Sequence, residues 1–302
     1  MSLQNLSSEL AKGIKGRIET QVPMNKHTTW RVGGPADFLV WAESPQEVQT
    51  AIQIANEYQL PWQVIGNGSN LLVLDQGLRG ITIKLSGALT SAVYQEQEAV
   101  AGGGMLLPKL AREFVKAGYT GLEFAGGIPG TVGGATTMNA GAHGNSLGDL
   151  VVWVEIVDGT GELRILRQEQ LNFGYRSSIL KETKGVVTQV GLKLVPGDQK
   201  LSEVQLKEWL ERRNRTQPVS QPNAGSVFKN PPGDSAGRLI EQAGGKGLRV
   251  GDAMVSEKHA NFIVNLGNAT AQDVLTLIEK VRNLVQAQTK TILELEVLVM
   301  GE

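Results

Sequence analysis

At 302 residues the chain is long enough for two domains, and its 41% hydrophobic and 20% charged content is that of a globular protein, not a disordered one. The 29 basic and 30 acidic residues nearly cancel, which leaves no basic footprint for nucleic acid or an anionic membrane. Cysteine is absent, so disulfides, thiolate metal sites and a cysteine nucleophile are excluded together, and any redox chemistry must be carried by a bound cofactor.

No apolar run approaches 18 residues, and the opening MSLQNLSSELAKGIKG has no apolar signal-peptide region, so the expectation is a cytoplasmic protein without membrane spans. Leu3, Leu6, Leu10, Ile14 and Ile18 recur at helical spacing and predict an amphipathic helix. Residues 26–40 turn through Gly33-Gly34-Pro35 into an apolar strand ending near Trp41. In Ser44-Pro45-Gln46-Glu47 the serine caps a helix, the proline suits its first position and the glutamate completes a capping box. That helix is expected to run to about Tyr58. Strands follow at 61–65, 71–74, 81–85, 92–94 and 99–101, and residues 106–116 read as a helix with Gly118 past its end.

Residues 121–148, GLEFAGGIPGTVGGATTMNAGAHGNSLG, then break the pattern with nine glycines in 28 positions. Each interior glycine costs a helix about 1 kcal/mol relative to alanine, so no stable helix is expected there. The segment is too apolar for a solvated linker. It reads as backbone lying closely against something, with N–H groups free to face a large anionic ligand such as a diphosphate.

Beyond it, strands 151–157 and 163–166 flank the hairpin signal Asp158-Gly159-Thr160-Gly161, and strand 186–195 closes at Pro196-Gly197. Composition shifts at a charged helix, 202–213, and a polar connector, 217–223. A helix near 236–243, a glycine turn, short strands and a long final helix follow. Thr270 and Asp273 start that last helix, and Val274, Leu277, Ile278, Val281 and Val285 form its apolar face. The chain is expected to end on a strand, 291–300. A domain boundary is drawn near 197–205, giving domains 1–200 (core about 26–196) and 201–302.

Several motifs carry chemistry. Gly66-Asn67-Gly68-Ser69-Asn70 follows a strand directly, as an anion nest would, although an ordinary glycine-rich turn reads the same. It is neither a Walker A loop nor a Rossmann fingerprint. In Gly126-Gly127-Ile128-Pro129-Gly130-Thr131-Val132-Gly133-Gly134 the glycines let backbone approach a diphosphate where any Cβ would collide, and Asn139-Ala140-Gly141 adds a side-chain contact. Arg176, among small residues, suits bidentate grip of a carboxylate, against the plain alternative of a surface arginine. Ser226 follows a glycine, outside any Gly-x-Ser-x-Gly motif. Glu294 and Glu296 fall on one face of the terminal strand, where a solvated edge would do the same. His259 either contacts an anionic ligand or caps a turn. No cluster has metal-ligand spacing.

The order of these motifs resembles the UDP-N-acetylenolpyruvoylglucosamine reductases of bacterial peptidoglycan synthesis, the MurB family. The matching stretches are NKHTTWRVGGPADF, GNGSNLL, AGGIPGTVGGATTMNAGAHG, FGYRSSIL, PNAGSVFKNP, AGGKGLRVGDAMVSEKHANFIVN and LELEV, spread over residues 25–297. The resemblance implies an α+β protein, with a vanillyl-alcohol-oxidase/PCMH-type FAD-binding domain followed by a smaller α+β substrate-binding domain. It implies non-covalent FAD held by Gly66, Asn67, Gly68, Ser69, Asn70, Gly126, Gly127, Ile128, Pro129, Gly130, Thr131, Gly133, Asn139, Ala140 and Gly141. NADPH would be the co-substrate, in a cytoplasmic monomer that reduces UDP-N-acetylglucosamine enolpyruvate to UDP-N-acetylmuramate for the cell wall. Matched residue by residue, Arg176 is the active-site arginine, Ser226 the proton donor to C2 after hydride passes from flavin N5 to C3, and Glu296 the catalytic glutamate. Gly225, Lys229, Asn230 and His259, with Arg176, would handle the UDP-sugar. Some members carry a tyrosine-bearing loop over the substrate diphosphate. The compact run 176–195 has no room for it, which marks the shorter subtype. Two rival readings are a flavoenzyme of the same fold acting on a small alcohol or hydroxy acid, and a nucleotide-binding module without catalysis.

Overall fold

A computed structural model describes residues 3–95 and 97–302, and the side chains of Leu3 and Gln4 lie outside that description. The chain divides into two compact units that are interleaved in sequence. One comprises Met1–Gln21, Asp37–Asn67 and Arg79–Glu211; the other Val22–Ala36, Gly68–Leu78 and Arg212–Glu302. The sequence reading draws a single cut at 200/201. The difference arises because two early segments take their tertiary partners from the C-terminal part of the chain.

Two sheets build the first unit. Strands Ile18–Pro23, Pro35–Ala42, Leu78–Leu85 and Trp62–Ile65 lie side by side in that order, the last two parallel, and the first three extend past the unit's boundaries. Helices Leu3–Gly13 and Pro45–Glu57 contribute Leu6, Leu10, Val48, Ala51, Ile52 and Ala55 to the core beside this sheet. The second sheet is antiparallel where its registers are resolved, in the order Leu163–Arg167, Val151–Asp158, Gly185–Lys193, Glu98–Gly102, Ala92–Tyr94. Its core includes Phe114, Phe124, Val132, Val154 and Val190, which joins helix Leu107–Lys116 and the glycine-rich segment to the sheet.

The other unit is built around helix Ala271–Thr289, whose expected apolar face of Val274, Leu277, Ile278, Val281 and Val285 is entirely buried. A three-stranded sheet (Arg249–Val250, Ala253–Val255, Ile263–Asn265) and helix Ala236–Gln242 complete its core. The early segments are wired in by specific bonds. Trp30, fully buried, donates Nε1–H to the Ile263 carbonyl at 2.8 Å, and Asn265 Nδ2 donates to the Trp30 carbonyl at 3.0 Å. The Asp75 carboxylate accepts from the N–H groups of Ala271 and Gln272, satisfying two orphan donors at the N-terminus of the long helix.

Three local expectations are corrected. Ile14 and Ile18 are not on the opening helix, which ends at Gly13; Ile18 opens the next strand. The backbone after the helix runs so close to the Trp41 carbonyl oxygen that a Cβ at Gly16 would lie 1.7 Å from it, a path only glycine fits. The capping box at Ser44 is half formed. Ser44 Oγ accepts from the Glu47 N–H at 3.3 Å, but the Glu47 carboxylate accepts from the N–H groups of Glu43 and Lys15 instead of returning to Ser44. The terminal strand spans only Leu298–Met300, paired parallel with Leu71–Val73. Residues 294–297 bond to the Ser226 segment rather than to a sheet.

Candidate active site

Strand Trp62–Ile65 runs straight into Gly66-Asn67-Gly68-Ser69-Asn70. Among the described residues no acceptor is found for the N–H groups of Asn67, Gly68, Ser69 and Asn70. Four consecutive unpaired amides of this kind have the chemistry of an anion nest. Gly66 packs on Thr131, whose Oγ1 would lie 2.5 Å from an added Cβ, and Asn67 Nδ2 donates to the Pro129 carbonyl at 2.7 Å. The two glycine loops, 62 residues apart in sequence, therefore meet. Gly68 serves the protein itself: at φ +65°, a Cβ would sit 2.2 Å from the His27 carbonyl oxygen. Asn70, expected at the cofactor, sends its side-chain amide to the Glu296 carbonyl at 3.1 Å.

Residues 121–148 are not free of helix. A six-residue helix, Val132–Thr137, forms where glycine propensity argued against one. Thr131 caps it by accepting from the Gly134 N–H, and the Gly133 N–H reaches the Gly103 carbonyl at 2.8 Å. Docking on the neighbouring backbone outweighs the intrinsic penalty. Before it, Gly126-Gly127 close the turn Glu123–Gly127, and Ile128 to Gly130 lead into the cap with the Gly130 carbonyl accepting from the Leu107 N–H. After it, Ala140 bonds back to Ala135, and Gly141–Ala142 pairs with Asn145–Ser146 in a short hairpin.

Helix Gln199–Thr216 packs across this segment at helical spacing. Ser202 Oγ donates to the buried Glu123 carboxylate at 2.6 Å, Leu206 Cγ lies 3.2 Å from where a Gly126 Cβ would be, and Trp209 stacks on His143 with ring centroids 4.6 Å apart. Burial pushes the Glu123 carboxyl up, but bonds from Ser202, Thr120 and Gly121 outweigh it and hold the pKa below the usual carboxylate range. Sequence reading missed Glu123, Ser202 and Trp209. For Ser202 and Trp209 the only sequence signal is the spacing of 202, 206 and 209 on one face of a charged helix.

Arg176 lies in the first unit, in the tight turn Gly174-Tyr175-Arg176-Ser177. The turn is closed by reciprocal backbone bonds between Gly174 and Ser177, and Arg176 itself adopts the left-handed φ of +54°. Its Nη2 donates to the Gly141 carbonyl at 3.2 Å, within the Asn-Ala-Gly motif. Tyr175 is exposed, with the guanidinium 5.3 Å from its ring centroid.

Ser226 and Glu296 belong to the other unit and are brought together there. The Glu296 N–H donates to the Val227 carbonyl at 2.8 Å, and the Lys229 N–H donates to the Glu294 carbonyl at 2.8 Å. On the opposite flank, buried Asn261 accepts from the Val227 and Phe228 N–H groups and donates to the Phe228 carbonyl. Half-buried Ser226 is thus clamped through its neighbours, while its hydroxyl makes no hydrogen bond among the described residues. Gly225, at φ +75°, makes the bend before it, fixed by an N–H bond to Asn223 Oδ1. Lys229 pairs with exposed Glu294 at 3.0 Å, and Asn230 Oδ1 accepts from the Ala236 N–H. His259 Nδ1 accepts from the Asn261 N–H at 3.2 Å, and burial lowers its pKa below 6.5. His259 therefore supports the residue that clamps Ser226.

The donor set fits FAD: the amides at 67–70, without acceptors among the described residues, suit a diphosphate, and Gly66 and Asn67 join their loop to the second glycine loop; among the described residues no helix is long and apolar enough to cross a membrane. A family model described as an FAD binding domain matches residues 36–167. The berberine bridge enzyme of Eschscholzia californica superposes with a TM-score of 0.50 at 16% identity, over 64% of this chain and 44% of its own, a likeness of fold alone. The chain is an α+β flavoprotein with an FAD-binding domain of PCMH-type fold.

A second model, the C-terminal domain of UDP-N-acetylenolpyruvoylglucosamine reductase, matches residues 217–300. The UDP-N-acetylenolpyruvoylglucosamine reductase of Heliobacterium modesticaldum is 47% identical, over 98% of this chain and 94% of its own length. The crystal structure of the Thermus caldophilus enzyme superposes with a TM-score of 0.82 at 43% identity, covering 95% of this chain and all of that one. The chain belongs to the UDP-N-acetylenolpyruvoylglucosamine reductase (MurB) family.

Proposed function

We propose that the protein uses NADPH to reduce UDP-N-acetylglucosamine enolpyruvate to UDP-N-acetylmuramate, a step of peptidoglycan synthesis in the cytoplasm, acting as a monomer. The amides of Asn67 to Asn70 and the loop from Gly126 to Gly133 would hold FAD, with residues 1–200 supplying most of the cofactor domain and 201–302 most of the substrate domain. FAD, when bound, would supply the two-electron hydride chemistry that links NADPH to the substrate alkene.

The chain's own residues manage charge and protons. Reduction of the alkene at C3 builds negative charge at C2 and in the adjoining carboxylate. The Arg176 guanidinium, pre-set by its turn and by the Gly141 carbonyl, counters that charge without reorganising. Ser226 then protonates C2. A hydroxyl is a weak acid, but the carbanionic centre is a strong base, so placement governs the step. The observation that carries this reading is the Ser226 hydroxyl itself, which makes no hydrogen bond among the described residues while the backbone around it is held on both flanks. Glu296, whose N–H and carbonyl are both bonded within its unit, has its backbone fixed beside the same segment. Gly225, Lys229, Asn230 and Arg176 would meet the UDP-sugar, in the subtype without the tyrosine loop.

The test is direct. Purified protein should be yellow, NADPH should bleach the flavin absorbance, and NADPH oxidation should depend on added UDP-N-acetylglucosamine enolpyruvate. A yellow protein that oxidises NADPH equally well without that substrate would overturn the assignment and favour the rival flavoenzyme reading. A colourless protein that cannot be reconstituted with FAD would leave only a nucleotide-binding role.

A further inference from the structure

We infer that Asn139 is a positioning residue for Arg176, a role distinct from the cofactor contact its motif suggests. The inference rests on the assignment of Arg176 made above.

Asn139 ends helix Val132–Thr137 in a Schellman arrangement: its N–H bonds to the Thr136 carbonyl at 3.1 Å, and the Ala140 N–H to the Ala135 carbonyl at 2.8 Å. Its φ of +41° lies in the left-handed region, where glycine is the usual choice and asparagine the common substitute. Glycine would serve the backbone equally well, so the side chain needs its own explanation. It is 7% exposed and engaged at both ends. Nδ2 donates to the Gly174 carbonyl at 3.0 Å, and Oδ1 accepts from the Gly148 N–H at 2.9 Å. Gly174 is the first residue of the four-residue turn that carries Arg176.

The same turn is tied at its far side. Ser178, 3% exposed, donates Oγ–H to the Thr137 carbonyl at 2.7 Å. The Arg176 turn therefore hangs from the C-terminal end of one short helix by two buried side-chain bonds, and Arg176 reaches on to the Gly141 carbonyl two residues past Asn139. A left-handed arginine in a tight turn has no regular sheet or helix to hold it. Asn139 and Ser178 supply the constraint, so the segment expected to hold the flavin also sets where the guanidinium points.

The experiment uses the full-length flavin-loaded protein and separates the two half-reactions by stopped flow. Asn139→Gly keeps the left-handed helix end and deletes the tie. Asn139→Asp keeps the acceptor for Gly148 but loses the donor to Gly174. Flavin reoxidation by the enolpyruvyl substrate should slow about 10²-fold relative to flavin reduction by NADPH in both variants. The effect should fall on kcat more than on KM. Combined with Arg176→Lys, either variant should cost little more than Arg176→Lys alone, as expected of residues acting as one unit. Reoxidation at the wild-type rate in Asn139→Gly, beside a damaged Arg176→Lys, would overturn this inference alone. So would equal slowing of both half-reactions, or a weakened flavin Kd that accounts for the loss. Wild-type reoxidation in Arg176→Lys would overturn the arginine assignment, and this inference with it.

Discussion

The backbone N–H of Glu296 donates to the carbonyl of Val227, 69 positions earlier in the chain, at 2.8 Å. That single bond sets the glutamate's backbone beside the residue following Ser226. A second tie, from Asn70 Nδ2 to the Glu296 carbonyl, holds the same peptide from the other side. Two residues chosen from distant motifs share one small scaffold.

Because the Ser226 hydroxyl has no hydrogen-bond partner to lose among the described residues, Ser226→Ala should leave folding and flavin reduction by NADPH essentially unchanged. The substrate half-reaction should fall about 10²–10⁴-fold, the ordinary cost of removing a positioned proton donor. Single-turnover traces with normal reoxidation would show that protonation comes from elsewhere.

Arg176→Lys should keep the positive charge but lose the planar fork and its bond to the Gly141 carbonyl. A decrease of about 10²–10³-fold in kcat is expected, the range seen when one preorganised donor to a developing anion is removed. Steady-state kinetics with kcat equal to wild type would remove Arg176 from the mechanism.

His259 makes stability depend on pH in a defined direction. Burial holds its folded pKa below 6.5, so as pH falls through 6.5 the unfolded chain takes up the proton first. This contribution is intact above pH 6.5 and is lost as pH falls from there toward the folded value. Protonation also removes the Nδ1 acceptor for the Asn261 N–H, loosening the clamp on Val227 and Phe228. Melting temperature should decline below pH 6.5, and His259→Gln should flatten that decline. Melting curves from pH 5 to 8 for both proteins, unchanged in slope, would contradict it.

Gly68→Ala should destabilise the fold whether or not cofactor is bound. The new Cβ would press on the His27 backbone carbonyl at 2.2 Å in a left-handed conformation. A loss of about 1–3 kcal/mol is expected for a change of this kind, read by denaturant unfolding of the flavin-free protein. Unfolding matched to wild type would mean that the segment around His27 yields without cost.

Much of the site was legible in the linear chain because its chemistry depends on residue type in short runs. Repeated glycines announce close backbone approach, Asn223-Ala224-Gly225-Ser226 encodes its own bend, and Thr270 with Asp273 marks a helix start that the structure realises as a full capping box. What lay beyond reading are bonds between distant segments. Asparagines in the two glycine motifs look like ligand contacts in sequence, yet Asn70 and Asn139 spend their side chains on the backbones of Glu296 and Gly174. Periodicity carried Ile18 onto a helix because it does not register the carbonyl of Trp41 pressing on Gly16. Alternation carried the last strand back to residue 291 because it does not register that 294–297 pair with the Ser226 segment. The sequence by itself determined the cofactor class and the family, and it singled out the candidate reactive groups, since these reside in local composition and order. Only the tertiary structure decided which side chains hold those groups in place and how the two units share the chain, because those outcomes depend on burial and hydrogen bonding between segments that local pattern does not connect.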